Sequence, residues 1–157
     1  MKSSRDLILR ISALTLMTSW FVFSSSIARA TLGGNEASVG SGLHGQHVKH
    51  AKTAADYTVH DITTGSQTVK EYVNSQGVVF AVTWSGNLQP DLSKLFGSYY
   101  SEYQAQSAKA IRRRGARRQD LKTANLSIQK WGHMRSMHGR AILNSALPAS
   151  VKPGDLK

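Results

Sequence analysis

The chain has 157 residues, a formal net charge of +11 from 20 basic and 9 acidic side chains, and no cysteine. Its length suits one domain rather than two. The lack of cysteine excludes disulfide staples, thiol catalysis, covalent c-type haem and Cys-ligated zinc, so stability must come from an ordinary apolar core.

Residues 1–30 have the form of a secretory signal. Lys2, Arg5 and Arg10 give a positive start, "ISALTLMTSWFVF" an apolar middle, and Ala28-Arg29-Ala30 a small-x-small cleavage pattern, with the cut expected after Ala30. The run 11–27 approaches the length of a membrane span, about 17–25 residues. The serines and threonines inside it and the cleavage pattern favour removal, leaving a periplasmic or secreted protein with no transmembrane span in the mature chain. Removal takes away four of the 20 basic residues and one of the 9 acids, so the mature charge is +8.

Residues 31–55 are rich in Gly, Ser, Ala and His without a sustained apolar period, and are read as a flexible leader. His44, His47 and His50 recur at intervals of three within it, a spacing at which a helix would gather them on one side. On an unordered segment they read as incidental, because three ligands must first be ordered to hold a metal.

A single α+β domain is expected over 56–150. Tyr57 and Val59 alternate with polar neighbours, and Thr64-Gly65-Ser66 supplies a turn. Val69, Glu71 and Val73 then alternate with Lys70 and Tyr72, and the next turn falls at 74–77. Val78 to Trp84 is almost continuously apolar, as suits the most buried strand of a three-strand antiparallel meander. After Gly86 the period changes to 3.6. Leu92, Leu95, Phe96, Tyr99, Tyr100 and Tyr103 make one stripe, with Pro90 and Asp91 suited to the first turn. The stripe reads as core rather than as a row of ligand-stacking rings.

The helix runs into "KAIRRRGARR", where Gly115 breaks it. Lys109, Arg112, Arg113, Arg114, Arg117 and Arg118 fall within ten residues there and are the candidate anion-binding set. In an exported protein the matching partners are anionic lipid, acidic polysaccharide or extracellular DNA. Sequence-specific nucleic-acid binding has no motif to support it.

Next come strands at about 125–130 and 134–143, with a turn at 131–133. The second contains most of "GHMRSMHGRA" (132–141), whose paired histidines, methionines and arginines invite a site reading. Odd spacing sends His133 and His138 to opposite faces of a strand, which argues against a shared metal. Arg135, Met137, Gly139, Ala141 and Leu143 are assigned to the core side, and His138 and Arg140 to an outer face open to solvent or a partner. Residues 151–157 are read as a tail.

No G-x-S-x-G, H-E-x-x-H, P-loop or dinucleotide fingerprint occurs, and Ser85 in "TWSGN" has no base at a telling spacing. Neither a catalytic set nor a cofactor is assigned. The blocks "VKEYV", "GVVFAVTWSG", "PDL" with "LFGSYY", and "GHMRSMHGRA" resemble a family of small exported proteobacterial, Burkholderia-like proteins catalogued only as a domain of unknown function. That resemblance implies no reaction, cofactor or binding residue.

The expected architecture is an antiparallel sheet of about five strands, a meander of three and a hairpin of two, with one amphipathic helix packed on a face. The expected role is a non-enzymatic exported protein binding an anionic component of the cell envelope. An enzyme with a cryptic site and an assembly factor using a sheet edge are the alternatives.

Overall fold

The computed structural model describes residues 32–39, 48–54, 56–111 and 115–157, and for 48–52 the backbone only. The segment read as a signal peptide, together with His44, His47 and Arg112 to Arg114, lies outside the described residues. So does the side chain of His50.

The described chain is α+β, with one antiparallel sheet. In chain order its strands are β1 (Val48–Thr53), β2 (Tyr57–Thr64), β3 (Gln67–Asn74), β4 (Val79–Gly86), β5 (Arg118–Lys122), β6 (Leu126–His133) and β7 (Ser136–Leu143). They lie in the order β1-β2-β3-β4-β7-β6-β5. The meander and the hairpin are as expected, and the sheet has two more strands than the five expected. Both extra strands are edges. "VKHAKT" and "RQDLK" show little apolar alternation, and Leu121 is the one buried residue of β5. Such strands are held by a neighbour's backbone rather than by an apolar stripe, so a pattern search passes over them.

The 74–77 turn is built by Asn74, whose Oδ1 accepts from the N–H groups of Gln76 and Val78, both at 3.0 Å. Beyond it the register slips at Tyr72/Val73, a bulge that accounts for the unbroken apolar run in β4. Val82 and Trp84 face one side of the sheet, whereas Phe80 joins Tyr72 on the other.

Asp91 caps the helical stretch, accepting from Ser93 N at 3.0 Å and from the Ser93 hydroxyl, which holds its carboxyl below the ordinary range. The helix is not continuous. α1 (Leu92–Phe96) gives way to a 3-10 turn (Gly97–Tyr99) before α2 (Tyr100–Lys109), with Gly97 at φ 51°. The stripe nevertheless docks as its spacing requires. Leu92, Leu95, Phe96 and Tyr103 are buried against Val69, Val82, Trp84, Ile128, Ala141 and Leu143.

Residues 32–39, expected within the flexible leader, belong to the domain instead. Leu32 is 1% exposed, Leu32 N donates to Leu95 O at 2.9 Å, and Gly33 N donates to Val79 O at 2.8 Å. One buried leucine and Val39 were too little apolar signal to stand out in a Gly-rich stretch.

The tail also packs. Val151 and Leu156 are buried on the face away from the helix, beside Tyr72, Phe80 and Ile142. The Tyr72 hydroxyl donates to Lys157 O at 2.7 Å.

The β6–β7 turn sits at Met134–Arg135 rather than at 131–133. Arg135 takes φ 64° there, so it is an exposed turn residue, not a core-side one. Gly132, which resembles a turn glycine in sequence, lies inside β6, where a Cβ would stand 2.1 Å from Ser136 O. Its partner across the hairpin demands glycine. Of the remaining residues expected on the core side, Gly139, Ala141 and Leu143 are buried and Met137 is half-buried.

Candidate functional site

With the helices covering one face and the tail covering part of the other, the rest of that second face stays open. Strand register fixes what it displays. Pairing places Lys70, Thr83, Arg140, Gln129 and Asp120 in one row across β3, β4, β7, β6 and β5. Two residues along each strand, a second row consists of Thr68, Ser85, His138, Trp131 and Arg118. Together with Gly154, Leu156 and Lys157 of the tail, these two rows without Asp120 bound a concave site of about 680 Å3.

The site is positively charged. Lys70, Arg117, Arg118, Arg140 and Lys157 all line it, and no Asp or Glu is among its lining residues. Arg140 is held from two sides: its Nε donates to Gln129 Oε1 at 2.6 Å, and its Nη1 donates to the Pro153 carbonyl. Arg118 is paired with Asp120 through Nε at 2.9 Å, an exposed contact worth little in water. No hydrogen bond or ion pair engages the Lys70 ammonium among the described residues. One aromatic ring joins these cations. Trp131 is 39% exposed and stacks on His138 with centroids 5.9 Å apart and planes 12° from parallel.

The expected site residues are therefore sorted by the fold. His138 and Arg140 do lie on the face opposite the helices, and Arg117 and Arg118 come to the same cavity from the far edge. Lys109 does not join them. It ends α2 and is exposed. His133 lines the rim, with Nδ1 3.1 Å from Met134 O. His60 pairs with Glu36 at 3.1 Å and is not among the residues that line the cavity. No three His, Asp or Glu side chains converge among the described residues.

Lys70, Gln129, Trp131 and Lys157 are the residues that pattern reading missed. The alternation in "TVKEYV" already put Lys70 opposite the buried Val69 and Glu71. What was lacking was the cross-strand register that carries it to Arg140.

Chemically, the arrangement offers charge, hydrogen bonding and a stacking surface. Ser136 Oγ lies 3.1 Å from His138 Nε2, and among the described residues no carboxylate is hydrogen-bonded to the other nitrogen of that ring. No described helix is long and apolar enough to cross a membrane.

Neither the curated proteins nor the solved structures contain a match to this chain. A family model does match, over residues 28–156, and so takes in both the open face and the tail that walls it. The chain belongs to that family, described as "Protein of unknown function (DUF2844)".

Proposed function

We propose that the chain is a non-enzymatic exported protein that binds an anionic component of the cell envelope, with the open-face cavity as its binding site. The observation that carries this reading is the lining, five cationic side chains and no Asp or Glu side chain in one concavity. A cleft of one sign between low-dielectric walls concentrates the field and draws counter-charge to it, and arginine adds forked contacts to carboxylate or phosphate. Export is supported by the signal pattern of residues 1–30 and by the resemblance to small exported proteobacterial proteins.

An assembly role through a sheet edge is less favoured. The β5 edge carries Arg118, Asp120 and Lys122, charges of the kind that discourage strand addition.

The test is a titration of the purified protein against anionic liposomes, an acidic polysaccharide and duplex DNA at low and moderate salt. A variant combining Lys70→Ala, Arg117→Ala and Arg118→Ala runs beside it. Binding of at least one anion, weakened at least tenfold by salt and again by the variant, supports the reading. No binding to any of the three, or equal binding by the variant, overturns it.

A further inference from the structure

We infer that the ligand is an acidic oligosaccharide segment with a carboxylate on alternate rings, laid across β3, β4, β7 and β6 with one ring stacked on Trp131. This deepens the anion-binding reading and rests on it. The first row of the site alternates in chemistry: Lys70, then Thr83, then Arg140, then Gln129. Neighbouring strands lie about 4.8 Å apart, so the two cations are roughly 10 Å apart, with the buried, uncharged Thr83 as the floor between them.

That periodicity separates the polyanions. A nucleic acid carries a phosphate on every nucleotide and would set charge over the neutral ground between the two cations. A chain of alternating acidic and neutral sugars puts its carboxylates two rings apart, matching Lys70 and Arg140, with a neutral ring over Thr83. The Gln129 side chain, whose oxygen already accepts from Arg140, has its amide N–H left for the next ring. The row is also bounded. Asp61 stands opposite Lys70 at one end and Asp120 opposite Gln129 at the other, so carboxylates close the site to further negative charge. Three strand steps separate Lys70 from Gln129, about 14 Å, which suits a short stretch of sugar chain.

Trp131 supplies the second, independent feature. It sits in the adjoining row, two residues from Gln129 along β6, with His138 against it. A single indole suits the C–H face of a pyranose. Recognition of single-stranded nucleic acid typically uses a succession of aromatic platforms, and this row has one besides the histidine. A concave site bounded by Gly154, Leu156 and Lys157 of the tail suits a chain laid within it better than a flat bilayer.

The experiment is calorimetric titration of the purified protein with four probes: an alternating glucuronate–N-acetylglucosamine oligosaccharide, a neutral chitin oligosaccharide of equal length, a single-stranded oligonucleotide of equal charge, and phosphatidylglycerol vesicles. The alternating acidic sugar is expected to bind at least tenfold more tightly than each of the others. Trp131→Ala and Lys70→Ala are each expected to weaken it at least fivefold, and Trp131→Phe to restore most of the loss.

Trp131 is partly exposed and Lys70 has no partner among the described residues, so thermal melts should show both variants folded. If the oligonucleotide or the vesicles bind as tightly as the acidic sugar, or if Trp131→Ala leaves its affinity unchanged, the saccharide assignment falls while anion binding stands. If no anion binds, both fall together.

Discussion

Gly139 shows how one residue joins the two faces of the sheet. It pairs with Trp84 across β4 and β7, and a Cβ built on it would lie 2.1 Å from Trp84 Cζ2. The indole therefore lies flat over the glycine and reaches Phe96, with centroids 6.0 Å apart, locking α1 to the sheet. Gly139→Ala must displace the ring or bend the strand. Overpacking of this kind costs about 1–3 kcal/mol, and the variant's urea midpoint should fall accordingly at unchanged m-value. An unchanged midpoint would mean that Trp84 has room the packing does not show. The consequence extends to the open face, because His138 and Arg140 flank this glycine and their aim depends on β7 staying straight.

At the scale of elements, the tail is the clearest case of a segment with a structural task that its sequence hides. Val151 and Leu156 are single apolar residues separated by turns, so they give no period to read, yet they cover Tyr72 and Phe80 and wall the cavity. The pin is the Tyr72 hydroxyl donating to Lys157 O at 2.7 Å. Burial pushes the Tyr72 ionisation above its ordinary value, against the opposing pull of hydrogen bonds with Thr83 and Lys157. A group whose folded pKa is raised contributes stability that is complete below its unfolded value, about 10, and lost as pH climbs through the folded one. Denaturation at pH 8 and above 10 should therefore show an alkaline loss in the wild type that Tyr72→Phe lacks. At pH 8 the variant should be weaker by about 1 kcal/mol for the missing hydrogen bond. An identical alkaline loss in both proteins would remove Tyr72 as its source. The same contrast explains what could be read in advance. The meander, the stripe from Leu92 to Tyr103 and the outward placement of His138 and Arg140 follow from periods of 2 and 3.6 over many residues. The edge strands β1 and β5, the packed Leu32 and the tail are held by neighbours, and their own residues carry too little pattern to announce it. For the candidate site the limit was register. Lys70 and Trp131 are 61 positions apart in the chain and share a cavity only because β7 inserts between β4 and β6.

For the whole molecule, fold and charge pull in opposite directions, and that opposition can be measured. Five cations line one cavity and repel one another, and among the described residues only Arg118 has a side-chain carboxylate partner, the exposed Asp120. Raising the ionic strength from about 10 to 150 mM shortens the screening length from roughly 30 to 8 Å, below the roughly 10 Å between Lys70 and Arg140. The free protein should therefore melt higher as simple salt is added over this range. A bound anion relieves the same repulsion and in addition stabilises only the folded chain, by about 2.7 kcal/mol at a hundredfold excess over its dissociation constant. Because added salt both screens the repulsion and competes for the site, the two effects cross: salt should raise Tm without ligand and shrink the ligand's own increment. The measurement is a grid of melting temperatures against salt and acidic oligosaccharide. In the Lys70→Ala, Arg117→Ala, Arg118→Ala variant both slopes should flatten together, because both arise from the same charges. If the ligand increment were to survive in that variant while the salt slope vanished, binding would lie elsewhere on the molecule, and the open face would be a repulsive patch without a ligand.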